Sequence, residues 1–124
     1  MRLQTEAKLH VQELIRDGVL SLVWSVIMDI ENKANPDVNR KVAVGTWKSL
    51  AAVDVSVNDS VELMADDLAF RGVKPMDALH VACAIEAEAD YFLTTDKALL
   101  RKMRHHQRLI VVDPVDFIRL LAET

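Results

Sequence analysis

Three carboxylates of this 124-residue chain stand where chemistry could use them: Glu31, Asp77 and Asp96. Glu31 closes a short helical segment that follows a β-prone run. Asp77 falls in the first turn of a helix opened by Lys74-Pro75. Asp96 follows the apolar run Tyr91-Phe92-Leu93-Thr94, with Thr95 between. In a parallel α/β sheet, ligand sites form beyond the carboxyl ends of the strands, and Asp77 and Asp96 suit that end. Hard divalent cations take oxygen ligands, commonly one or two carboxylates completed by water and substrate phosphate. Converging carboxylates repel one another until a cation neutralises them. An ion so held lowers the pKa of a bound water and stabilises charge on a phosphodiester under attack. The same three acids would then serve as metal ligands and catalytic residues.

Each acid has a purely structural alternative. Asp77 complements the helix dipole, worth about 0.3–1 kcal/mol. Asp96 suits an N-cap, worth about 1 kcal/mol. Glu31 reads also as a solvated surface residue. His80, three residues after Asp77, reads as a packed helix histidine or as a partner to the acids. His105-His106 reads as a loop pair, since adjacent residues on a helix point apart. Cys83, within Val81-Ala82-Cys83-Ala84-Ile85, reads as core.

Strands alternating with helices must position these residues. Apolar residues recur at Leu3, Ala7, Val11, Leu14 and Ile15, which is helical spacing, and Gly18 stops the helix. Leu20 to Trp24 reads as a buried strand, followed by a helix capped by Ser25 and running to about Lys33. A helix from Pro36 to about Leu50 carries a weakening Gly45, and Ala52 to Val57 is a second strand. Asn58 caps a helix ending at Phe70 before Gly72, and Pro75 opens another running through Ala89. Tyr91 to Thr94 is a strand, and Asp96 starts a helix to about Arg104. Leu109 to Val112 is the last strand, and Asp113-Pro114 caps a closing helix over Val115 to Leu121. The pattern implies an α/β fold with a mainly parallel sheet and helices on both faces.

Composition agrees with a single compact domain spanning residues 1–124. Hydrophobic residues make up 51% and charged ones 27%, which excludes a disordered chain. The single cysteine excludes an internal disulfide. The longest apolar run, Gly18 to Ile30, is too short and too polar to span a bilayer, and Met1-Arg2-Leu3-Gln4-Thr5-Glu6 lacks the apolar core expected of a signal peptide. The expected location is cytoplasmic. A net charge of −4 works against a protein that holds nucleic acid by bulk positive charge, though charge alone does not decide it. A nuclease that gathers carboxylates around a metal is still compatible with it, because the ion supplies local positive charge. Three glycines, none in a phosphate-binding fingerprint, argue against a nucleotide-binding small-molecule enzyme.

Asp77-Ala78-Leu79-His80-Val81-Ala82-Cys83-Ala84, followed by Ala89-Asp90-Tyr91-Phe92-Leu93-Thr94-Thr95-Asp96, resembles the second half of a PIN domain. The strand at Leu109 to Val112 with Asp113-Pro114 and its closing helix is similar too. Ser25-Val26-Ile27-Met28-Asp29-Ile30-Glu31 resembles the segment carrying that family's early acidic residue, and Asp29 competes with Glu31 for that role. The resemblance implies a Mg²⁺- or Mn²⁺-dependent endoribonuclease, often the toxin half of a toxin–antitoxin pair, with RNA as substrate and an antitoxin protein as partner. It assigns Glu31, Asp77 and Asp96 to three acidic positions, and Thr95 to a hydroxyl beside the last. The family opens with a central strand bearing a further aspartate, whereas this chain opens in the helix that follows it. The expected fold is thus PIN-like and N-terminally truncated, with weak or absent activity. The alternative is an inactive remnant that acts as a binding or assembly module. In the family's strand order the gap lies between the strands at Leu20 to Trp24 and Tyr91 to Thr94. A homodimer that covers it is the expected remedy.

Overall fold

The computed structural model describes residues 2–123. It contains seven helices and four strands among the described residues, and the chain divides into two compact units. Unit 1 comprises Met1–Leu20 with Ala89–Thr124, and unit 2 comprises Ser21–Glu88.

Unit 1 begins with α1 (Arg2–Arg16), continues through β3 (Tyr91–Leu93), α6 (Lys97–Lys102) and β4 (Ile110–Val112), and ends with α7 (Pro114–Glu123). α1 stops as its sequence demands. Gly18 adopts a φ of 77°, its N–H bonds to the Ile15 carbonyl, and the Val19 N–H reaches back to Leu14. That left-handed turn satisfies the helix's last carbonyls. α1 packs on α7, which contributes the buried Pro114 and Phe117. Tyr91 meets the Phe117 ring edge-on, with centroids 4.9 Å apart. β3 and β4 pair in parallel, Tyr91 beside Ile110 and Leu93 beside Val112.

Unit 2 holds β1 (Leu22–Ser25), α2 (Val26–Lys33), α3 (Val38–Lys48), β2 (Ala51–Val55), α4 (Asp59–Phe70) and α5 (Pro75–Glu86). β1 and β2 are parallel, with an irregularity in register between Leu22 and Val23. α5 carries the most buried surface, since Ala78, Val81, Ala82, Cys83, Ala84 and Ile85 are all enclosed. It packs against α4 and β1. Ala78 and Ala82, one turn apart and almost inaccessible, let neighbouring backbone approach closely. Asn58 caps α4 by accepting the Val61 N–H, and Gly72 at φ 100° closes it as Gly18 closes α1.

The fold is mixed α/β with parallel strand pairing. Its strands form two separate two-stranded sheets where one mainly parallel sheet was expected, because among the described residues β1 pairs with β2 and β3 with β4. One cap and two helix boundaries also differ from expectation. Ser25 precedes α2 without a side-chain capping bond. α3 starts after Asp37, which accepts the Arg40 N–H, and so leaves Pro36 outside. α5 ends at Glu86, because Glu88 turns into the left-handed region at φ 57°.

Two opposite exchanges test this reading of the backbone. A methyl added at Gly45, inside α3, would meet only the Asn32 side-chain nitrogen at 3.8 Å, an ordinary contact. Gly45→Ala should therefore stabilise the protein by about 0.5–1 kcal/mol. Glu88→Gly should also stabilise, by up to about 1 kcal/mol, since glycine occupies the left-handed region without a Cβ penalty. Urea unfolding midpoints measure both, and a lower midpoint in either variant would contradict the corresponding assignment.

Candidate functional site

Two of the expected site residues lie in unit 2 and one in unit 1. Glu31 is in the last turn of α2, about half exposed, and its Oε1 lies 2.7 Å from His80 Nε2. His80 is on α5, one turn after the partly exposed Asp77, so the two share a helix face. The contact ties α2 to α5 and leaves Glu31 Oε2 free of any hydrogen bond among the described residues. Of the two readings of His80, the contact with Glu31 favours the partner to the acids. Their spacing of 49 residues gave no local pattern from which to read it.

Asp29, the competitor of Glu31, has another task. Trp24 Nε1 donates to its Oδ1 at 3.0 Å, and Lys48 Nζ donates to its Oδ2 at 3.0 Å. The hydrogen bonds from Lys48 and Trp24 hold its carboxyl below the ordinary carboxylate range. In return Asp29 raises the Lys48 ammonium above its usual value. Asp29 therefore joins the end of α3 to β1 and α2, with both oxygens engaged.

Asp96 caps α6. Its Oδ1 accepts the N–H groups of Ala98 and Leu99, while its own N–H donates to Thr94 Oγ1. The structural role foreseen for Asp96 is present, and Oδ2 has no hydrogen bond among the described residues. The chain just before it lines an open cleft of about 380 Å³ at the carboxyl end of β3. Lys8, Val11 and Gln12 of α1 form one wall, Leu93, Thr94 and Thr95 another, and Pro114 the remainder. Two hydroxyls, an amide and an ammonium thus share the lining with the apolar Val11, Leu93 and Pro114.

Charge is divided unevenly. Unit 2 carries eleven Asp or Glu against six Lys or Arg, net −5, and unit 1 carries eight against nine, net +1. Four of the nine cations of unit 1 fall in the run Arg101 to Arg108, so this unit opposes an anion less than unit 2 does. Cys83 is buried as expected, and burial raises its thiol pKa above the ordinary value. The enclosed Ser25 hydroxyl lies against it and works in the opposite direction.

Among the described residues, no group of three or more His, Cys, Asp or Glu side chains is gathered to hold a metal ion. None of their helices is long and apolar enough to cross a membrane. No protein-family model and no curated protein matches the chain.

The Asp29 bridge has a measurable pH signature. A carboxylate with a depressed folded-state pKa contributes stability that is present above its unfolded pKa, about 3.9 for aspartate. That stability is lost as the pH falls through the folded value. Asp29→Asn should melt lower at neutral pH and lose less on acidification to about pH 2. Thermal unfolding across that range checks it, and matching acid-side slopes would show that the bridge contributes nothing.

Proposed function

We propose that this chain is a PIN-like, metal-dependent endoribonuclease domain whose activity by itself is weak or absent. The observation that carries the reading is the cleft at the carboxyl end of β3. Thr94, Thr95 and Lys8 line it, and Asp96 follows immediately with one oxygen free. Hydroxyls and an ammonium suit a phosphodiester, and a strand's carboxyl end is the usual place for a ligand in parallel α/β structures. Glu31, Asp77 and Asp96 take the acidic roles that the resemblance assigns them.

The donor set fits a hard cation such as Mg²⁺ or Mn²⁺. Each of the three acids keeps at least one carboxylate oxygen outside the hydrogen bonds described, and such ions need only one or two carboxylates beside water and phosphate. Within unit 2, Glu31 and Asp77 would hold the ion, with His80 fixing the Glu31 carboxylate through Oε1. An ion held there would supply an acidified water and charge stabilisation for phosphodiester cleavage. Separately, in unit 1, Lys8, Thr94 and Thr95 would bind a backbone phosphate of RNA. A toxin–antitoxin setting, with an antitoxin protein as partner and the cytoplasm as location, belongs to the same proposal.

A second reading is favoured by the sheets themselves. Both are two-stranded, so every strand has an edge unpaired within its sheet. Isolated two-stranded sheets are marginal, and free edges recruit other chains. The chain would then be an inactive binding or assembly module, with a homodimer formed through those edges.

Cleavage of a labelled hairpin RNA, thermal melting with Mn²⁺ and light scattering separate the two readings. The enzyme reading expects slow Mn²⁺-dependent cleavage or none, with a Mn²⁺-dependent rise in Tm. That rise should shrink in Glu31→Gln and Asp77→Asn. No cleavage and no Mn²⁺ response would remove the metal site, and a dimer under those conditions would leave the assembly module standing.

A further inference from the structure

The most exposed large apolar side chain in the described structure is Phe70, at the end of α4, with 92% of its surface accessible. Leu63, two turns earlier on the same helix, is 71% accessible. At 100° per residue both project from one narrow face, and Asp59, Asp66 and Asp67 fall on the same arc of about 100°. The opposite face, with Val61, Ala65 and Leu68, is buried. α4 holds no lysine or arginine, and the nearby cation Arg71 is already paired with Asp67 at 3.1 Å. The outer face of α4 is therefore an apolar pair inside an acidic rim.

We infer that this face docks a basic amphipathic segment of a partner protein, its apolar side chains meeting Leu63 and Phe70 and its Lys or Arg residues meeting the aspartates. Solvating two large apolar groups on an otherwise well-packed helix is unfavourable, and one aromatic can bury about 150–250 Å² in a contact. The rim selects the occupant. A second copy docked through the same face would set Asp59, Asp66 and Asp67 against their own duplicates, because a two-fold interface is self-complementary. RNA and anionic membranes are repelled by the aspartates for the same reason. A cationic segment gains from them. The inference stands apart from the ribonuclease reading, since α4 contributes none of the acids assigned there.

The test is fluorescence anisotropy of the full chain with a labelled helical peptide carrying Leu on one face and Lys on the other. A matched peptide with Glu in place of Lys is the control. The Lys peptide should bind and the Glu peptide should not. Leu63→Ser with Phe70→Ser should weaken binding about tenfold or more. Asp66→Asn with Asp67→Asn should weaken it several-fold and flatten its salt dependence. Val38→Ser with Val42→Ser, on the exposed face of α3, should leave affinity unchanged. All these side chains are exposed, so Tm should hardly move and folding does not confound the result. No binding, equal binding of the Glu peptide, or full affinity in the Leu63→Ser, Phe70→Ser variant would overturn the inference.

Discussion

Enclosure of α5 is the constraint on which unit 2 depends. Six of its twelve residues are buried, and they lie on more than one face, against both α4 and β1. A helix apolar nearly all round has no stable place at a surface. Its polar positions are correspondingly few, and Asp77 and His80 are among those that retain access to solvent. Burial of the rest fixes their rotation about the helix axis. The chemistry proposed for this unit thus rests on packing: Val81 and Ile85 hold the helix, and the helix aims Asp77 and His80.

Polar ties then set the smaller elements around that core. Asp29 gathers Trp24 and Lys48, while Asn32 donates to the Lys41 carbonyl and Lys41 to the Lys33 carbonyl. α3 has no buried residue, so these bonds do for it what apolar burial does for α5. Exposed ion pairs are individually worth little. Several bonds converging on one short helix can still fix its position, because each shares the entropy already lost to the others. The geometry of Glu31 is the product of both layers. Its helix is placed by the Asp29 and Asn32 ties, and its carboxylate is finished by His80.

Local chemistry was legible in the sequence where it depends on neighbours along the chain. Gly18 and Gly72 were read as helix stops, and both occupy left-handed turns that close the preceding helix. Asn58 and Asp96 were read as caps and accept the expected backbone N–H groups. What depends on distant residues was not legible. Ser25 looked like a cap, but its hydroxyl is enclosed near Cys83 of α5 and makes no capping bond. Glu88 ends α5 without a glycine to announce it. The partner of Glu31 lies on α5, and neither periodicity nor spacing connects the two. Parallel pairing was foreseen from strand–helix alternation, whereas division into two sheets depends on pairing choices that alternation does not encode.

Charge distribution gives a further constraint that the net value conceals. A chain at −4 looks unsuited to an anionic substrate, yet the deficit is concentrated in unit 2, and unit 1 is slightly positive. Lys8 and the two threonine hydroxyls therefore act in a local field that does not oppose a phosphate. The four acids of α4 belong to the other unit, on a surface where an anion would be rejected. On the two proposals made above, an anion would meet the cleft beyond β3, and a cationic segment the outer face of α4.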